Sequence, residues 1–231
     1  MTSLAVRYDR GSPVIAIENR SDVPHRELVH VVRALQTQVD RDFFPLWGWR
    51  AKLVLDPPRV PRRAMKIIVQ GKDSGGDYGY HLIDGVPITY VFTIGPDDEP
   101  ISVYPSTLSH EVLEMIVDPG VNLYALGFYK KGQKKIPAYI PYEVCDAVQE
   151  NSYSIEGVKV SDFVVPEWFE PGRKRRSQKF SFRDAVEGPF ELAPGGYIDA
   201  MVGQSLRTIW GEEANKKKRR PRHKARKARL R

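Results

Sequence analysis

One stretch of the chain brings together residue types and spacing suited to metal chemistry: Ser109-His110-Glu111-Val112-Leu113-Glu114-Met115-Ile116-Val117-Asp118-Pro119. On an α-helix His110 and Glu114 stand one turn apart on the same face. An imidazole nitrogen and a carboxylate oxygen can therefore meet on one cation, with Glu111 beside them. A divalent ion held there can activate water, and Glu111 is placed to take that water's proton. Val112, Leu113, Met115, Ile116 and Val117 fill the remaining positions. They predict a helix buried on most sides, with one polar stripe facing a cavity. Buried charges need partners, and a cation is such a partner.

The segment resembles the His-Glu-x-x-His helix of zincin metallopeptidases. It is more closely similar to a variant His-Glu-x-x-Glu-x-x-x-Asp-Pro pattern of zincin-like proteins from bacteria and phages. It departs from the zincin pattern at Glu114. A carboxylate there is a legitimate zinc ligand, but it leaves the bound ion a weaker Lewis acid than two imidazoles would. The resemblance implies Zn2+ held by His110 and Glu114, with Glu111 as general base. It also implies a third ligand downstream, for which the sequence offers Pro141-Tyr142-Glu143-Val144-Cys145-Asp146. Two acids three apart share one face of a helical turn. Glu143 fits the ligand role, and Asp146 fits either that role or the support of the histidine. Asp118 would support a ligand from outside the metal shell or serve as a further ligand. Such a protein is a zinc-dependent metallohydrolase, in the first place a peptidase with a peptide or protein substrate. Its motif helix would lie beneath an edge strand on which an extended chain can pair, a part that falls to residues 88 to 94.

Two other readings use the same residues. In a non-catalytic binding or structural protein, Glu114, Glu143 and Asp146 would all join His110, closing a tetrahedral shell with no position left for water. A di-iron carboxylate enzyme would need paired Glu-x-x-His motifs, and neither Glu111 nor Glu114 has a histidine three residues later.

The elements that must position this helix are legible as periodicity. Residues 13 to 18 read as a first strand. From Glu27, apolar residues Leu28, Val31, Val32, Leu35, Val39 and Phe43 recur at three and four, predicting an amphipathic helix that Pro45 ends. Residues 51 to 55, 65 to 69 and 88 to 94 read as strands of one sheet. Residues 75 to 81 read as a flexible loop that holds His81 as a reserve ligand. The motif helix is expected to start near Ser106 or Thr107 and to end at Asp118-Pro119-Gly120. Residues 120 to 141, rich in lysine, read as a basic surface loop. A hairpin is expected around Glu156-Gly157, with Asp162, Trp168 and Phe169 closing one side of the pocket, and short strands at 180 to 182 and 197 to 202. The expected fold class is α+β: a zincin-like mixed sheet with the metal-site helix and the helix of residues 27 to 43 packed on one side.

Composition divides the chain. It has 231 residues and a net charge of +7, but residues 216 to 231 hold 11 Lys or Arg and no acid, leaving 25 basic against 29 acidic residues in 1 to 215. The expected organisation is therefore a zincin-like domain over 1 to 215 and a disordered basic tail over 216 to 231. Such a tail suits nucleic acid or another polyanion. Cys145 is the only cysteine, which excludes an internal disulfide and a thiolate cluster built from one chain, and fits a reducing compartment. No run of about 18 apolar residues is present and the N-terminus has no signal-like segment, so a cytoplasmic location away from membranes is expected.

Overall fold

The computed structural model describes residues 13–62, 64–72, 78–95, 97–131, 134–172 and 179–211. The tail of residues 216 to 231, the basic stretch from 173 to 176 and the His81 side chain lie outside the described residues.

The chain opens with β1 (Val14–Arg20), α1 (His25–Thr37), a π-helical turn (Gln38–Phe43), α2 (Phe44–Trp47), β2 (Lys52–Leu55), β3 (Met65–Lys72), β4 (Gly79–Asp84), β5 (Val86–Ile94) and α3 (Tyr104–Val117). Strands β1 to β5 form one mixed sheet in the order β2-β1-β3-β5-β4. Its pairs are parallel except for the last, where β4 runs antiparallel to β5. The second half contributes β6 (Tyr124–Lys131), β7 (Lys134–Pro141), a 3-10 turn (Asp146–Val148), β8 (Ser152–Ile155), β9 (Val158–Ser161), a second 3-10 turn (Pro166–Phe169), β10 (Tyr197–Val202) and β11 (Ser205–Trp210). A four-stranded sheet runs β11-β10-β7-β6, and β8 pairs with β9 alone. The architecture is mixed α and β, with one long central helix, α3. A single cluster of buried apolar side chains runs from Ile15 and Ile67 in the first sheet through α3 to Ile198 and Ala200 in the second. Among the described residues no helix is long and apolar enough to cross a membrane.

The structure departs from the periodicity reading at several places. Residues 88 to 94 belong to an interior strand; the sheet edges are β2 and β4, and β4 begins within the stretch read as a loop. Glycines and tyrosines there mask a strand that tertiary pairing enforces, six residues in register with β5. The supposed basic loop contains the β6–β7 hairpin. Its buried Ala125, Tyr129, Ala138 and Ile140 alternate with exposed residues too weakly for the lysines not to dominate. The first helix ends its α-helical part at Thr37, and Pro45 lies in the first turn of α2 rather than stopping the helix. Helix α3 begins at Tyr104, two residues before the expected cap, with Pro105 in its first turn. Residues 180 to 182 form only an isolated bridge between Ser181 and Val164, and β11 was not foreseen. The predicted hairpin of β8 and β9 is present, and its turn residues Glu156 and Gly157 both have positive φ, as a type I′ turn requires.

Candidate metal centre

Helix α3 is buried around nearly its whole circumference: among its fourteen residues only Pro105 and Ile116 are not buried. Apolar Leu108, Val112, Leu113 and Met115 join the core, while Ser109, His110, Glu111 and Glu114 are each fully enclosed. Desolvating four polar side chains on one helix is costly unless each is matched. Ser109 is matched by the π-helical turn. Its hydroxyl donates to Gln38 Oε1 at 2.7 Å and accepts the Ser161 backbone N–H at 2.9 Å. The Gln38 amide donates in turn to the Ser161 carbonyl at 2.9 Å and to Tyr153 Oη at 3.2 Å. Tyr153 donates to Asp42, which Arg41 grips through two nitrogens. This closed polar network locks the rotation of α3 one residue before His110. The π-helical register, in which Gln38, Val39, Asp42 and Phe43 are all buried, turns Gln38 inward.

The structure brings together three of the expected residues. His110 Nε2 lies 3.2 Å from Glu114 Oε1 and 3.2 Å from Asp146 Oδ1. One N–H can point at only one of two oxygens at full strength, whereas a cation has no such directional limit. Bonds of about 2.0–2.1 Å in a tetrahedral zinc shell set ligand atoms roughly 3.3 Å apart. The two observed separations match that spacing, and they are also within hydrogen-bond range. Burial pulls the His110 pKa down, but the Glu114 and Asp146 carboxylates outweigh it and raise it to about 9.

A fourth donor comes from a residue that the sequence reading had used only as a marker of compartment. Ligand atoms of His110, Glu114 and Cys145 all lie within 4.8 Å of one another, and all three residues are buried. The Cys145 backbone N–H also donates to Glu114 Oε1 at 3.2 Å. Burial, with Glu114 and Asp146 alongside, pushes the Cys145 thiol well above its ordinary pKa. A signal was available: Cys145 sits between the two acids already singled out, and thiolate is a common zinc ligand.

The segment carrying Cys145 and Asp146 is held by the turn before β10. Ala193 N–H donates to the Ala147 carbonyl at 2.9 Å, and Gln149 Nε2 donates to the Gly195 carbonyl at 2.7 Å. A Cβ on Gly196 would lie 2.0 Å from Ala147 O, so only glycine permits this approach. The next residue, Tyr197, is fully buried. Burial and the nearby Asp146, Glu114 and Asp199 charges raise its phenol pKa well above the usual value. Nothing in the local sequence marked it.

The remaining expected residues take these positions. Glu111 is fully buried and faces the edge strand: a Cβ on Gly79 of β4 would come within 2.8 Å of Glu111 Oε1. Glu143 is buried at the start of the Asp146 segment. Asp118 closes the end of α3, its two carboxylate oxygens accepting the backbone N–H groups of Asn122 and Leu123 at 3.0 and 2.9 Å. Asp162 is fully buried and holds backbone, Oδ1 accepting the N–H groups of Phe163 and Arg183. Burial raises its pKa to about 6 despite those donors. Trp168 and Phe169 are buried in the core, packed edge to face at 4.8 Å, with Phe169 also stacked on Tyr142. Comparison with protein-family models, curated proteins and solved structures returned no match for this chain.

Proposed function

We propose that this chain is a zinc-dependent hydrolase of zincin-like type acting on peptide bonds, with His110, Glu114 and Asp146 as protein ligands and Glu111 as general base. The observation that carries this reading is the pair of 3.2 Å separations from His110 Nε2 to two buried carboxylates on different elements. The 3.2 Å separation from His110 Nε2 supports Asp146 as the third ligand. Bound zinc would supply Lewis-acid chemistry, polarising a carbonyl and easing the deprotonation of water. Nε2 is the nitrogen turned to the carboxylates, so Nδ1 carries the proton when Nε2 is a ligand. Glu111 takes the proton of the attacking water and passes it to the leaving amine. Strand β4 supports a peptide substrate in particular: it is a sheet edge, it is antiparallel to β5, and its Gly79 abuts Glu111. An extended chain pairing along β4 would pass beside the general base.

Metal analysis of protein purified without chelator tests the reading: about one zinc per chain is expected. Absence of metal, both there and after zinc reconstitution, would sink it. Glu111→Gln should keep that zinc and lose hydrolysis of an unstructured protein such as casein.

A second reading, a metal that ties segments together without catalysis, is favoured by the complete enclosure of His110, Glu111 and Glu114 and by the presence of Cys145 in the group. It predicts that chelation lowers the melting temperature while no variant or condition yields turnover. On either reading the 11 basic residues of 216 to 231 form a polyanion-binding segment, supported by their charge density alone.

A further inference from the structure

We infer that Cys145 is the fourth protein ligand of the metal centre, so that the shell is His110, Glu114, Asp146 and a thiolate. The inference rests on the metal reading above, but not on catalysis.

Three observations converge on it. Sγ of Cys145 lies within 4.8 Å of donor atoms of both His110 and Glu114, on the buried side of the molecule. The Cys145 backbone N–H is bonded to Glu114 Oε1, the same oxygen that faces His110 Nε2, so the cysteine is tied to the ligand itself and not merely near it. Asp146, the next residue, reaches His110 as well, so a single turn delivers two donors to the helix. Two neighbouring side chains from one turn, added to the i and i+4 pair of a helix, supply the four donors that a tetrahedral ion requires. The donor set N, O, O and S is also chemically selective. A thiolate favours zinc or cobalt over magnesium or calcium, which an all-oxygen set would suit. The segment that delivers both donors is held by the turn before β10 through the Ala193 and Gly195 contacts.

Cobalt(II) added to the metal-free, full-length protein tests the assignment by absorption spectroscopy. Thiolate ligation produces an intense sulfur-to-cobalt charge-transfer band in the near ultraviolet, together with strong visible bands of tetrahedral cobalt. Cys145→Ser, which retains the backbone N–H to Glu114, is expected to lose the charge-transfer band while still taking up one cobalt. A wild-type protein that binds one cobalt without the band, or a variant that keeps it, overturns the assignment of Cys145 and leaves the metal centre standing. Failure of wild type to bind cobalt or zinc at all overturns the metal centre, and this inference with it. If Cys145→Ser does not fold, the wild-type spectrum decides alone, since Cys145 is the only thiol in the chain.

Discussion

At the residue scale the decisive contrast is between the groups that would hold the ion and the group that would act on water. His110→Ala should abolish stoichiometric zinc, and Asp146→Ala should weaken it by at least tenfold. Glu143→Ala should leave it nearly unchanged if Asp146 is the third ligand; equilibrium dialysis against a zinc buffer distinguishes the two acids. Glu111→Gln should retain zinc and lower turnover by roughly 10²–10⁴-fold, the usual worth of a general base. Loss of zinc in that variant would make Glu111 a ligand instead. The raised His110 pKa has its own consequence. In the metal-free protein the imidazole is protonated below about 9 and paired with Glu114 and Asp146. Zinc must displace that proton, so affinity should climb as pH rises towards 9, and calorimetry in buffers of different ionisation enthalpy should register proton release at pH 7. For stability the sign is the reverse. A histidine raised from 6.5 to about 9 on folding stabilises the metal-free fold fully below 6.5 and loses that contribution as pH passes through 9. Melting temperatures of the metal-free protein should therefore fall between pH 7 and 10, and His110→Ala should flatten that fall.

At the element scale, the position of α3 depends on its two neighbours. Behind it, Ser109 joins the π-helical turn to β9. Ser109→Ala strands the Gln38 side-chain carbonyl and the Ser161 N–H in a dry site, at a cost of about 2–6 kcal/mol, since each buried unsatisfied group costs about 1–3 kcal/mol. A shift in the urea midpoint with unchanged slope is the expected signature. In front of it, Gly79→Ala would set a methyl 2.8 Å from Glu111 Oε1, 3.1 Å from the Tyr90 carbonyl and 3.2 Å from Thr107 Cγ2. The edge strand or the Glu111 carboxylate must then move, costing about 1–3 kcal/mol as overpacking does. Turnover should fall more than zinc content if the base is what moves. Asp162 belongs at this scale too, because it holds the chain between β9 and the Ser181 bridge. Its folded pKa of about 6 exceeds the ordinary carboxyl value of 3.8, so its contribution is present below the lower value and lost as pH rises through the higher one. Asp162→Asn should gain thermal stability relative to wild type between pH 4 and pH 7. A difference that stays constant across that range would contradict the shift.

At the scale of the whole molecule, charge is segregated along the chain. Deleting residues 216 to 231 changes the net charge from +7 to −4. Zinc content and hydrolysis of a small substrate should be unaffected, and binding to nonspecific duplex DNA should disappear. In the full-length protein that binding should weaken steeply as salt rises. Equal binding by both forms in a salt titration would move the polyanion surface into residues 1 to 215. Loss of zinc or of melting temperature on truncation would show that the last residues dock on the rest.

What the sequence determined alone was local. The i and i+4 placement of His110 and Glu114 follows from helical geometry, and the apolar runs at 13 to 18, 65 to 69 and 88 to 94 read as strands by themselves. The Glu156-Gly157 pair dictates its own turn, because positive φ at both positions is a property of those few residues. The identity of the edge strand was not local. The sequence favours residues 88 to 94 by propensity, yet β5 is interior because β4, weak by itself, is recruited by six pairings across the sheet. The approach of further donors to His110 and Glu114 was not local either. Cys145 and Asp146 lie more than 30 positions from Glu114, and their approach depends on a turn before β10 that only glycine at 196 allows to close on Ala147. Helical spacing can bring two donors to one point. A third and a fourth come from distant segments, and only packing decides which ones arrive.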